Sequence, residues 1–206
     1  MMRLLLNKLA PAIAGLMVAG MPIFASAELS AADKIEITRA ETYLNELKTM
    51  QAEFLQIDAY GGVTKGDVYM RRPGRMRFEY SPPAQILVVA DGTWLVFHDK
   101  ELKETTRLPL FSTPVSVLLK DEIKLSGDVT VTNVENDGKT LRITLVDTDN
   151  PDEGSIMLVF ADEPLKLRQW LVTDAQNNVT SISIGNIQRN LKLRPELFTF
   201  FDSDYQ

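Results

Sequence analysis

The 206-residue chain has no cysteine and a single histidine, His98. Without cysteine there is no disulfide, no thiolate metal centre and no lipid on an N-terminal cysteine, so an exported form must hold together by packing alone. One histidine leaves a zinc site short of ligands, and any histidine-dependent mechanism has to run through His98. A serine triad there has no support: there is no Gly-x-Ser-x-Gly elbow, and His98 falls at a predicted strand end before a turn. A phosphate loop and a dinucleotide fingerprint are also missing. The acidic stretch 147–154 (DTDNPDEG) fails as a calcium loop, with Pro151 at the fifth position, Asp152 at the sixth where glycine is required, and Leu158 at the twelfth where glutamate is required. Little is left for an enzyme, and neither a cofactor nor a metal is expected. The formal charge of −6 argues against nucleic acid as a partner.

Long apolar runs are scarce too. Residues 9–24 form the main one, but they fall short of the roughly 20 residues a membrane span needs and are interrupted by Pro11, Gly15, Gly20 and Pro22. Arg3 and Lys8 stand before this run, and Ala25-Ser26-Ala27 follows it as a small-x-small cleavage site, the pattern of a secretory signal peptide. The expected organisation is a signal peptide at 1–27 and one domain at 28–206, since no composition shift divides the remainder. Cleavage leaves 20 Lys and Arg against 28 Asp and Glu, taking the formal charge to −8.

The residues that are present organise around 71–80 (RRPGRMRFEY). Pro73-Gly74 punctuates two stretches of period two, the mark of half-buried strands. Met76, Phe78 and Tyr80 share one parity, and Arg75, Arg77 and Glu79 take the other. Upstream, Val68, Met70 and Arg72 share a parity, which puts the Arg72 guanidinium on an apolar face. An unpaired charge there would cost several kcal/mol, so Arg72 either snorkels to water or has buried acceptors. Arg71, Arg75 and Arg77 form a positive patch on an acidic body, suited to a partner of opposite sign.

Elsewhere the period alternates between helix and strand. From Ser30, a candidate N-cap, Ile37, Ala40, Tyr43, Leu44 and Leu47 follow at helical spacing. Between residues 50 and 99 the period is two: Met50, Ala52 and Phe54, then Ile86 and Val88, then Trp94 and Val96. Short turns between them leave room only for antiparallel neighbours. Ser112 or Thr113 could cap a predicted short helix with Pro114 at its first position and Val115, Leu118 and Leu119 on one face, which either plugs the sheet or acts as a lid. Strands then resume from Val129 to Ile184. Ten or eleven strands with two or three helices predict a mainly β protein whose long antiparallel sheet curls, because open twisted sheets of this size rarely stay flat. The apolar face would line a cavity, with Phe54, Val68, Met70, Met76, Phe78, Ile86, Val88 and Trp94 as its expected walls.

Five segments, in order, carry a resemblance: Arg72-Pro73-Gly74 with Arg77 and Tyr80; Val89-Ala90-Asp91-Gly92 leading to Trp94; 113–119 (TPVSVLL); 170–176 (WLVTDAQ) with Thr180; and Leu197-Phe198-Thr199-Phe200. Together they span most of the mature chain, which resembles the periplasmic outer-membrane lipoprotein carrier family, LolA. The resemblance implies an unclosed eleven-stranded half-barrel covered by two to three helices as a lid, with Arg72 as the residue that holds the lid shut. It implies a periplasmic, non-enzymatic, monomeric carrier of acylated lipoproteins. These would be received from an inner-membrane lipoprotein-releasing ABC transporter and delivered to the outer membrane, where the presence of a receptor stays open. Because several families share this half-barrel, a carrier or sensor of a non-protein lipid such as a glycolipid is the alternative, and a protein-binding module with a filled core is a third.

Overall fold

The computed structural model describes residues 29–201, so the signal peptide expected at 1–27 lies outside the described residues. The first element is helix α1, Ala31–Glu46. Ser30 caps it: its Oγ accepts from the Asp33 N–H at 3.1 Å, while the Asp33 carboxylate accepts from the Ser30 N–H at 2.8 Å. This reciprocal box satisfies two of the helix's orphan donors.

Eleven strands follow: β1 Thr49–Ile57, β2 Val63–Arg71, β3 Arg75–Tyr80, β4 Ile86–Asp91, β5 Trp94–Asp99, β6 Glu104–Pro109, β7 Val129–Asn136, β8 Thr140–Asp147, β9 Gly154–Ala161, β10 Lys166–Asp174 and β11 Val179–Arg189. They form one antiparallel sheet in the order β6-β5-β4-β3-β2-β1-β11-β10-β9-β8-β7. Every neighbour is next in sequence except at the β1–β11 seam, where Phe54 faces Ile184. The two free edges, β6 and β7, are consecutive strands, so residues 110–128 must run from one open edge to the other.

That connection differs from the sequence expectation in one respect. Leu110–Ser112 and Pro114–Leu119 are 3-10 turns, not an α-helix. Two β-branched valines and a serine within six residues are weak α formers, and so short a run suits the tighter turn.

The core lies on the concave face. The register carries apolar side chains across it in rows, one through Met50, Met70, Met76, Ala90 and Leu95 and another through Ala52, Val68, Phe78, Val88 and Phe97. Helix α1 lies over these rows and over the far half of the sheet, where Tyr43 meets Phe160 edge to face at 5.9 Å. Its middle is anchored by Arg39, which bonds Asp162 in the β9–β10 turn at 2.6 Å, and Asp162 also accepts from Asn136 of β7 at 2.9 Å. The hydrogen bond from Arg39, then that from Asn136, holds the Asp162 carboxyl below the usual carboxylate range. A carboxylate with a depressed folded-state pKa stabilises the fold above its unfolded value of about 3.9 and loses that contribution as pH falls through the folded value. Asp162→Asn should therefore lower the thermal midpoint at neutral pH. Melts of both proteins on descending pH should show the gap closing only below about pH 4.

Candidate functional site beneath the helix

Arg72 sits where β2 turns into β3, and 7% of it is exposed. Its guanidinium donates to three main-chain carbonyls: Nε to Leu47 at 3.1 Å, one terminal nitrogen to Asn45 at 3.0 Å, and the other to Lys120 at 3.2 Å. Asn45 and Leu47 lie at the C-terminal end of α1, where carbonyls lack intrahelical partners and the helix dipole favours a cation. Lys120 directly follows the second 3-10 turn. One side chain of the sheet thus joins both segments covering its concave face. Burial lowers the Arg72 pKa from the ordinary guanidinium value, with Asp121 opposing the shift.

Gly74, in the same turn, touches both the second covering segment and the β4–β5 turn. Its φ of +74° suits glycine, its N–H donates to the Leu119 carbonyl at 2.7 Å, and an added Cβ would stand 2.8 Å from Gly92 Cα.

The two covering segments are also fastened to each other. Asn45 pairs with the Ile123 main chain like a strand residue: its Nδ2 donates to the Ile123 carbonyl at 2.8 Å and its Oδ1 accepts from the Ile123 N–H at 2.9 Å. One turn earlier, Glu41 Oε1 accepts from the Leu125 N–H at 2.7 Å.

Beneath them Leu44, Leu47, Met50, Met70, Met76, Leu118, Ile123, Leu167 and Trp170 enclose about 10 Å³, room for roughly one water. The interior is therefore apolar and shut. Toward β6 the same concave face emerges from under the cover: Phe97 is 41% exposed and Leu108 49%, and Phe111 beyond them is 63% exposed. On the other side of the connection, Phe111, Pro114, Ser116, Val129, Leu145 and Ile156 border a partly open cavity of about 180 Å³.

Residues 45–201 match the family described as outer membrane lipoprotein carrier protein LolA. The chain belongs to this family. An outer-membrane lipoprotein carrier protein of Methylococcus capsulatus is 28% identical over 190 residues, covering 87% of this chain and 90% of the relative. An uncharacterised protein of Rickettsia prowazekii is 23% identical over 168 residues, covering 82% and 78%. Among solved structures, a LolA superfamily protein of Nitrosomonas europaea superposes with a TM-score of 0.47 at 12% identity, covering 84% of this chain and 98% of that one.

Most of the residues expected to wall the site of this LolA chain come together. Phe54, Val68, Met70 and Met76 are buried on the concave face. Phe78 joins them, packing edge to face with Phe54 at 5.0 Å and Trp170 at 6.4 Å. Val88 and Ile86 extend the same face, half-buried, toward the open edge. Of the covering residues, Leu118 and Leu119 are buried and Val115 is half-buried. Tyr80 is half-buried with its hydroxyl donating to Gln56 at 2.7 Å, and burial pushes its pKa up to about 12.

Trp94 is a correction. The register that pairs Ala90 with Leu95 and Val89 with Val96 puts Trp94 on the convex face with Val96 and His98. Arg77 is a second correction to the positive patch. It is ion-paired to Glu79 and donates to the Leu197 carbonyl at 3.2 Å, so it holds the chain's C-terminal segment against the convex face. His98 is buried under the same segment, its Nδ1 3.0 Å from Thr105 Oγ1 and its ring 5.3 Å from that of Phe200. Among the described residues no group of three acidic or histidine side chains is placed to hold a metal, and no helix is long and apolar enough to cross a membrane.

Asn45 and Glu41 were not singled out by the sequence. The available signal was their spacing of four, which puts both on one helix face. Asn45→Ala leaves the Ile123 N–H and C=O without their partners, a loss of about 1–3 kcal/mol per stranded buried group. Chemical denaturation should register it, and amide exchange should accelerate at residues 119–125 before it does in the strands.

Proposed function

We propose that this protein is a periplasmic carrier that binds the acyl chains of lipoproteins released from the inner membrane and delivers them to the outer membrane. The observation that carries the reading is Arg72: a buried guanidinium that donates to carbonyls of the two segments lying over an apolar concave face. Such a group acts as a latch. Membership of the LolA family and relatives named as lipoprotein carriers support the same reading.

The energetics fit a carrier that loads and releases. An acyl chain gains about 0.8 kcal/mol per buried methylene, so about twelve of them supply roughly 10 kcal/mol. Three hydrogen bonds from a charged donor are worth about 1.5–3 kcal/mol each. Cargo therefore outweighs the latch, but by a margin small enough to be reversed at a partner that itself offers acyl binding. Three methionines under the cover, Met50, Met70 and Met76, give walls that adapt to chains of different shape. In this reading the exposed Phe97, Leu108 and Phe111 form the apolar ramp by which chains reach the interior, and an inner-membrane lipoprotein-releasing ABC transporter supplies them.

Two measurements test it. Mass spectrometry of the protein purified from spheroplasts should find intact acylated lipoproteins bound and their unacylated forms absent; free glycolipid alone would shift the function to non-protein lipid. Arg72→Leu removes the group that favours the closed, empty state, so the variant should keep its circular dichroism spectrum, load acylated lipoprotein and fail to pass it to outer-membrane vesicles. Hand-over at the wild-type rate would remove Arg72 from the mechanism.

A further inference from the structure

The convex face carries a feature that acyl-chain binding does not use. Arg71 and Arg75 stand directly opposite each other on β2 and β3, and like charges so placed repel. Arg77, further along β3, is neutralised by Glu79. Among the described residues Arg71 and Arg75 have no ion-pair partner. Asp91, across from Arg75 on β4, uses Oδ1 to accept the N–H groups of Thr93 and Trp94, each at 2.8 Å. The Arg71 guanidinium instead lies 5.2 Å above the centre of the Phe198 ring.

These groups face one another across a groove. Arg71, Arg75, Trp94, Pro195 and Phe198, with the single carboxylate of Asp91, are among the residues lining an open cleft of about 380 Å³ between the strand ends and the C-terminal segment. Trp94 is 43% exposed, a large ring left uncovered beside two arginines that lack an ion-pair partner among the described residues. Arg194, exposed, directly precedes Pro195 of the lining, on a protein whose net charge is −6.

We propose that this cleft is the docking site for an acidic, extended segment of a partner protein. Its carboxylates would pair with the planar forks of Arg71 and Arg75, which suit bidentate contact, and an apolar side chain would rest on Trp94, the type of ring that anchors interfaces. A flat anionic bilayer fits less well, because the two guanidinium groups are half-buried within a cleft and do not project from the surface. The cleft opens on the opposite face of the sheet from α1, so a partner held there leaves the cover free to move. Docking does not depend on which cargo the concave face carries.

The protein reports on this site by itself. Of its two tryptophans, Trp170 is 1% exposed in the core and Trp94 borders the cleft. The probe is a synthetic decapeptide of glutamate and aspartate with one central phenylalanine, titrated into the full-length mature protein while tryptophan emission is followed. At about 50 mM NaCl the emission should change saturably, and Trp94→Phe should abolish the change. Raising the salt to about 300 mM should weaken binding several-fold, as screened charge pairs require. Arg75→Gln makes no contact whose loss would unfold the chain, and it should weaken binding about tenfold, which is one charge-assisted pair. Arg71→Gln/Arg75→Gln should eliminate binding, and Lys166→Gln on β10 should leave it unchanged. Equal affinity in Arg75→Gln and wild type, or no binding to the peptide at millimolar concentration, overturns the proposal. So does binding to phosphatidylglycerol vesicles that depends on these arginines when the peptide does not bind.

Discussion

The structure turns on one charge placed where charges are expensive. Arg72 cannot shed its proton at any physiological pH, so the apolar interior has to supply acceptors for it. It does so with three carbonyls, two from the C-terminal end of α1 and one from the connection between the sheet's open edges. An uncompensated buried guanidinium would cost several kcal/mol, so the closed geometry is specified by the need to satisfy this group as much as by the leucines and methionines around it. Lifting either covering segment removes acceptors, which ties the two segments' positions together through a residue belonging to neither.

The topology decides why such a device is needed. Closing β1 onto β11 leaves β6 and β7 as free edges, and residues 110–128 bridge them with 3-10 turns and loop in place of strand. A single sixteen-residue helix is the other cover over an eleven-stranded concave face. Fastening α1 to the body at Asp162, to the connection through Asn45 and Glu41, and to the sheet through Arg72 makes these two weak covers behave as one. Their own apolar area is modest, so polar contacts with defined geometry supply much of the specificity of closure.

Period-two alternation carried most of the way from sequence to this arrangement. It gave the strands and the inward set Phe54, Val68, Met70, Met76 and Phe78, and it put Arg72 on the apolar side before any acceptor was visible. It failed for Trp94 for a physical reason. Along β4 and β5, Leu87, Val89 and Val96 are buried on the convex face, near the C-terminal segment, while Ala90 and Leu95 face inward, so both parities are apolar and alternation carries no sign. The same long-range packing explains Arg77, whose partner Leu197 lies 120 residues away. The Asn45–Ile123 pair was illegible because a side-chain amide matching a distant main chain leaves no periodic trace.

The choice of acceptors matters as much as the choice of arginine. Had the proposed latch closed onto a carboxylate, it would have been a buried ion pair, strong enough to resist cargo and broken by acid as the carboxylate took up a proton. Neutral carbonyls avoid both outcomes. Their hydrogen bonds with a guanidinium are individually modest, and nothing in them titrates between the pKa of a carboxyl and that of arginine. In the proposed carrier, a latch built this way yields to about ten buried methylenes at any pH an exported protein meets, and it re-forms once they leave.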